Sequence, residues 1–293
     1  MSLTNEMKET AYAEVTPTAL QELRQELRER MEEFMDTDRF TLVIQPVVNF
    51  RDNAVKDGEV LSRLEHPERG VIFPDEFLPV INEMGLYPVF DRYIFEKSCV
   101  WLHRSGEEGK KFEILSCNFS RKTLSEAGIA EDLIQIADCY GIPHGQLGLE
   151  ITEQEQATDE PQMIRNLHTL KEAGFRIILD DYGNGVTSEW DLTRYPVDIL
   201  KIDRTLLWRA VSEQEKAEFR AMVASFMEMG AEVACEGIET EEQNRFVREI
   251  GCHYGQGFLY FKPIHQDDIL VVMNAGGLWD DFYSADGSLE SDV

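Results

Sequence analysis

The sequence predicts an α/β protein built as a (β/α)8 barrel, and three observations carry that expectation. Short, apolar, β-branched runs alternate with amphipathic helical patterns from about residue 40 onward. Two of these runs, Phe175-Arg176-Ile177-Ile178-Leu179 and Asp198-Ile199-Leu200-Lys201-Ile202, read as parallel strands buried on both faces. Neither a Gly-x-Gly-x-x-Gly turn nor a Walker-type loop is present to favour a doubly wound nucleotide-binding sheet.

Taken in order, residues 1–15 carry no clear period. From Thr16 onward Leu20, Leu23, Leu27, Met31 and Phe34 recur at three- and four-residue steps. That spacing predicts an amphipathic helix, with a Thr cap and with Pro17 where a missing N–H does no harm. The helix either packs on the domain that follows, links it to an upstream signalling domain, or forms a dimer contact; the pattern leaves these open. Strands are expected at 40–48, 58–64, 112–119, 147–152, 176–181, 198–203, 232–238 and 255–260. Helices are expected at 90–104, 128–140, 160–173, 214–229 and 240–250, with Met222, Phe226 and Met229 as core positions. From Gly277 the chain is acidic and rich in Gly, Ser and Asp. The predicted organisation is therefore an N-terminal segment and helix over 1–37, a barrel over 38–276 and an acidic tail over 277–293.

The 28 Lys and Arg residues against 56 Asp and Glu give a net charge of −28. Such a surface repels polyphosphate backbones, and no basic block offers a local exception, so polymeric nucleic acid is not an expected partner. A small anionic ligand requires a cation held in the site. No run of about 18 apolar residues exists to span a membrane, and no basic-then-apolar N-terminus marks a secretory signal. Five cysteines with no Cys-x-x-Cys pair fit reduced, mostly buried thiols in a cytoplasmic protein.

The informative charges lie in the predicted strands. Glu59, Asn118, Glu150, the pair Asp180-Asp181, Lys201 with Asp203, Glu236 and Gln256 all fall in or at the ends of strands. In a barrel the C-terminal ends of the strands converge on one mouth, where active sites of this fold lie. One Lys201 cannot neutralise so many carboxylates, and buried charges need partners, so the set asks for cations. Oxygen-only donors point to hard ions, Mg2+ or Mn2+. Two such ions, sharing one of the adjacent Asp carboxylates, would clamp a phosphodiester and generate an attacking hydroxide.

These segments resemble the EAL family of cyclic di-GMP phosphodiesterases over about residues 38–275. The signature appears as Glu59-Val60-Leu61 within Gly58-Glu59-Val60-Leu61-Ser62-Arg63. Gln45-Pro46, Cys117-Asn118-Phe119-Ser120, Glu150-Ile151-Thr152-Glu153, Asp180-Asp181-Tyr182-Gly183, Leu200-Lys201-Ile202-Asp203, Glu236-Gly237-Ile238-Glu239 and Gln256-Gly257-Phe258 follow in the family's order and spacing. The resemblance implies a modified barrel whose first strand runs antiparallel to the rest, and metal-dependent hydrolysis of cyclic di-GMP to pGpG. It implies that Glu59, Asn118, Glu150 and Asp180 hold one metal and that Asp180 and Asp181 hold a second. Lys201 would contact the attacking water or phosphate, and Glu236 stands at the general-base position. Gln45, Arg63, Gln256 and Glu239 fall on the substrate side, Glu239 also serving to fix a ligand; Glu153 fixes a loop and Asp203 supports the site. A homodimer and an upstream sensory or GGDEF-type domain are the partners it implies.

Three departures from the family pattern stand out. Val60 replaces Ala in the triplet, Leu64-Glu65 replaces Trp-Arg, and the loop after the Asp pair reads Tyr182-Gly183-Asn184-Gly185-Val186-Thr187-Ser188-Glu189. The resemblance links that loop to metal binding, dimer contacts and turnover. The expectations are therefore an active phosphodiesterase, then a catalytically weak receptor for cyclic di-GMP, then a barrel enzyme acting on another phosphoester.

Overall fold

The computed structural model describes residues 17–107, 112–151, 157–183 and 189–270. The described chain runs α1 (Pro17–Asp36), β1 (Phe40–Asn49), β2 (Ala54–His66), β3 (Gly70–Ile72), α2 (Pro74–Glu83), α3 (Tyr87–Glu107), β4 (Ile114–Phe119), α4 (Arg121–Leu124), α5 (Ile129–Cys139) and β5 (Leu147–Ile151). It continues through α6 (Glu160–Ala173), β6 (Arg176–Tyr182), α7 (Glu189–Arg194), β7 (Ile199–Ile202), α8 (Arg204–Arg209), α9 (Glu213–Glu228), β8 (Glu232–Cys235), α10 (Glu241–Glu249), β9 (Tyr254–Gly255) and β10 (Ile264–His265). These residues fall into two compact units, one of residues up to Thr41 with Ser62–Leu86, the other of Leu42–Leu61 with residues from Tyr87 onward.

The larger unit is a closed eight-stranded barrel in the order β1-β9-β8-β7-β6-β5-β4-β2, sealed by a β1–β2 pairing. β1 pairs antiparallel with β9, whereas β2, β4, β5, β6, β7, β8 and β9 pair in parallel around the barrel wall. This is the modified barrel, with its first strand reversed, that the sequence resemblance implies. β10 adds an antiparallel ladder outside β1. The barrel waist is apolar: Ile178, Ile199, Ala234 and Tyr254 pack together, with Val47 and Ile114 against them. Gly58 and Gly148 let the wall close tightly. A Cβ at Gly58 would lie 2.7 Å from Ile44 Cγ2, and one at Gly148 would lie 2.8 Å from Ser116 Cβ.

In the smaller unit, Leu23, Leu27, Met31 and Phe34 of α1 are buried, as the spacing predicts. Phe34 meets His66 edge-on, and Phe40 meets Phe77 in the same way. His66 accepts from the Glu68 and Arg69 amides through Nδ1, so its proton sits on Nε2 and is donated to Glu26 at 2.9 Å. Helix α2 was not expected: Pro79 inside it breaks the pattern by which helices are read, while Pro74 starts it.

Other boundaries differ for local reasons. The expected strand 255–260 shortens to Tyr254–Gly255. The Gln256 amide still donates to Cys235 O, but the Gln256 carbonyl accepts from the Ile238 amide and the Leu259 amide donates to Ile238 O beyond the end of β8. Met229 terminates α9 and is 47% exposed rather than core, while Phe219, Val223 and Phe226 carry that helix's buried face. Cys99, Cys117, Cys235 and Cys252 are free and buried, and Cys139 is free and exposed. No helix among the described residues is long and apolar enough to cross a membrane.

Candidate active site

Parallel strands bring the predicted acidic residues to one mouth of the barrel. Lys201 on β7 is the hub: its Nζ lies 3.0 Å from Glu59 Oε2, 2.8 Å from Glu150 Oε2, 3.2 Å from Asp180 Oδ1 and 2.7 Å from Glu236 Oε1. Glu59 also accepts from Asn118 Nδ2 at 2.9 Å and from Gln256 Nε2 at 3.0 Å. The register explains the convergence. Glu59 pairs with Ser116, Asn118 with Glu150, Glu150 with Ile178, and Lys201 with Ala234, so inward positions stack at one level. Glu236 follows β8 directly, its amide donating to Ile202 O at 3.1 Å.

Three buried carboxylates and the half-buried Glu236 around one ammonium set the electrostatics. Burial opposes charge on Lys201, but the surrounding carboxylates outweigh it and hold the ammonium protonated. Burial pushes Glu150 up to about 8, with the Glu59 charge adding to it. Burial likewise raises Asp180, and Glu236 well above the usual carboxylate range. Glu59 runs the other way: burial is outweighed by Lys201 and by the hydrogen bonds from Asn118 and Gln256, leaving its carboxyl low. Unmet negative charge concentrated in this way is a seat for a cation.

Asp180 and Asp181 should point to opposite faces of a regular strand. They do not, because the β6–β7 register shifts between Leu179 and Tyr182 and Asp181 takes a left-handed φ of 56°. Carboxylate oxygens of Asp180, Asp181 and Glu236 accordingly lie within 4.8 Å of one another, as do those of Glu59, Glu150 and Asp180. The two groups share Asp180. Oxygen donors without His or Cys fit a hard divalent ion, and the arrangement could hold a metal.

The remaining predicted residues are distributed as follows. Gln45 shares the inward face of β1 with Val47 and, because β1 is reversed, lies two residues nearer the mouth. Gln256 is buried, and its Oε1 has no hydrogen-bond partner among the described residues. Asp203 directs its carboxylate to the start of α8, accepting from the Thr205 amide at 2.8 Å and from its hydroxyl; no contact with Lys201 accompanies this. Glu239 is exposed, and its amide donates to Gln243 Oε1. Arg63 belongs to the smaller unit, where its guanidinium lies 4.9 Å from the Phe73 ring centroid and donates to Ser62 O. Glu153 and residues 184–188 of the variant loop lie outside the described residues.

Two supporting residues escaped sequence reading. The Ser116 hydroxyl donates to Glu150, with Gly58 O 3.3 Å away, fixing the Glu150 carboxyl from below. Its position two before Asn118 on one strand was the available signal. Asp91 on α3 accepts from the Ser120 amide at 2.9 Å and from Thr123 Oγ1, anchoring the turn that leaves β4; nothing in the spacing distinguishes it from other acidic helix residues.

Comparison with known proteins fits this geometry. Cyclic di-GMP phosphodiesterase NbdA of Pseudomonas aeruginosa is 30% identical over 84% of this chain, which spans 31% of NbdA's length. The bifunctional diguanylate cyclase/cyclic di-GMP phosphodiesterase MucR of the same organism is 28% identical over 86% of the chain, which spans 36% of it. The chain thus covers about a third of these curated relatives. The PaMucR phosphodiesterase in its c-di-GMP complex superposes with a TM-score of 0.75 at 27% identity, covering 83% of this chain and 99% of that one. With the model for the EAL domain matching residues 24–263, the chain belongs to the EAL domain family.

Proposed function

We propose that this chain is a metal-dependent phosphodiesterase hydrolysing cyclic di-GMP to linear pGpG. The observation that carries the reading is the cluster at the barrel mouth, in which Glu59, Asn118, Glu150, Asp180, Asp181, Glu236 and Lys201 are gathered from successive strands. The likeness to NbdA and to the PaMucR complex supports the substrate. Glu59, Asn118, Glu150 and Asp180 would hold one Mg2+ or Mn2+ ion, and Asp180 with Asp181 a second. Ions of this kind polarise a phosphodiester and acidify a bound water.

The chain's own groups have separable tasks in this reading. Lys201, already 2.7 Å from Glu236, offsets negative charge as it develops on phosphate and holds the Glu236 carboxylate in place. Glu236 accepts the proton of the attacking water. Gln45 and Gln256 present amides toward the substrate, Gln256 having a carbonyl oxygen to spare, and Arg63 and Glu239 contribute to the substrate rim. Glu153 and Asp203 support the loops around it. A homodimer in the cytoplasm, and an upstream sensory or GGDEF-type domain in a longer parent protein, belong to the same reading.

The test is chromatography of cyclic di-GMP incubated with the protein and Mg2+ or Mn2+. Metal-dependent pGpG that disappears with chelator and in Glu59→Ala is the expected result. Glu236→Gln should lower kcat more than it raises KM. Tight binding of intact cyclic di-GMP without turnover would instead make the chain a receptor, the reading that the altered 182–189 loop favours.

A further inference from the structure

A cavity of about 560 Å3 opens at the end of the barrel opposite the acidic mouth. Its volume falls in the range of about 300–1,000 Å3 typical of small-molecule sites. The apolar waist formed by Ile178, Ile199 and Ala234 lies between the two ends. Barrel floors ordinarily serve stability, and part of this one does. Arg176 pairs with Glu232, which also accepts from Tyr254 OH, and Glu113 pairs with Lys56 at 3.1 Å. Those contacts answer Glu232 and Glu113, while Asp57 accepts from the Ile114 amide at 2.9 Å.

Two guanidinium groups on the same cavity have no carboxylate partner among the described residues. Arg248 donates to Asn244 Oδ1 and Asn53 Oδ1, both neutral, and lies 4.1 Å from the Phe50 ring centroid. Arg51 is exposed, and no carboxylate among the described residues pairs with it. His253 accepts from the Val233 amide through Nδ1 at 3.1 Å, which puts its proton on Nε2 as a further donor. Burial, with the Glu113 charge beside it, pushes Asp57 up to about 7, so this carboxyl carries only part of a negative charge at neutral pH. In a chain with a net charge of −28, a cavity with unpaired cations is a local exception. The open guanidinium of Arg51, the positive charge of Arg248 and a neighbouring N–H donor match the oxygens of a phosphate monoester.

We propose that the barrel floor is a second ligand site, for a small phosphate-bearing organic anion held by Arg51, Arg248 and His253. The strands that build it also build the mouth: β2 carries Asp57 and Glu59, and β9 leads from Tyr254 to Gln256. The floor site is nevertheless independent of the phosphodiesterase reading.

Ribose 5-phosphate titrated into the full chain, with chelator present so that no metal at the mouth captures phosphate, tests the proposal. Backbone amide chemical shifts give the readout. Saturating shifts at Asn49–Arg51 and His253–Tyr254 are expected, absent with ribose alone. Arg51→Ala, an exposed substitution, should weaken the response roughly tenfold by removing a charge-assisted contact. The proposal is overturned by the absence of saturating shifts at the floor, by an equal response to ribose, or by Arg51→Ala titrating like the parent.

Discussion

Asp180 and Asp181 are neighbours in one strand, yet their carboxylates reach the same cluster, because Asp181 adopts a φ of 56° where the β6–β7 register shifts. A non-glycine residue there carries backbone strain of about 1–2 kcal/mol. Asp181→Gly should therefore be at least as stable as the parent in urea, while losing Mn2+ affinity by at least the roughly 10–100-fold that disturbing a metal's outer contacts costs. Asp181→Val, β-branched at a positive φ, should lose about 1–3 kcal/mol. A valine variant as stable as the parent would contradict the strained geometry.

Lys201 is buried among Glu59, Glu150, Asp180 and Glu236. Removing one member of a buried ion pair leaves the others uncompensated, typically at about 3–5 kcal/mol. Lys201→Met in chelator should be destabilised by that order, since its carboxylates lose the ammonium they share. Added Mn2+ should then raise its unfolding midpoint more than the parent's, because a divalent ion supplies the missing positive charge. Equal metal-induced shifts in the two proteins would argue against a common set of carboxylates.

Much of this was legible in the sequence, for a physical reason. Buried parallel strands tolerate charge only where it is used, so Glu59, Glu150, Asp180 and Lys201 stand out from their apolar flanks. What the sequence hid were features decided by backbone geometry or by distant neighbours. The left-handed Asp181 has no signature beyond an Asp, the reversal of β1 leaves no trace in periodicity, and Pro79 obscures α2. Ser116 looks like any strand serine until Glu150 arrives from β5. Arg63, singled out beside the EAL triplet, belongs by its contacts to the unit containing α1 and α2.

The tight wall around Gly148 gives a contrast between two glycines. A Cβ at Gly148 would meet Ser116 Cβ at 2.8 Å and Ile178 Cδ1 at 2.9 Å, whereas one at Gly106 in α3 meets nothing within 4 Å. Gly148→Ala should lose about 1–3 kcal/mol through overpacking. Gly106→Ala should gain roughly 0.5–1 kcal/mol from helix propensity. Thermal unfolding of both variants checks the signs, and a neutral Gly148→Ala would mean that the β4–β5–β6 wall yields more readily than its contacts imply.

Asp91 supplies a pH dependence outside the acidic cluster. Burial pushes its carboxyl from an ordinary 3.8 up to about 6, partly offset by the Thr123 hydroxyl and Ser120 amide that it accepts. Between these values the unfolded chain releases the proton while the folded chain keeps it. Stability contributed by this group is therefore full below 3.8, falls as pH rises, and is flat again above about 6. Asp91→Asn keeps an acceptor oxygen for both donors but cannot ionise. Its stability relative to the parent should rise by roughly 3 kcal/mol across that window, at about 1.4 kcal/mol per pH unit. Urea unfolding of both proteins at a series of pH values reads the difference directly. A difference that stays level, or narrows with rising pH, would mean that Asp91 is already ionised in the fold and that the hydrogen bonds from Ser120 and Thr123 outweigh its burial.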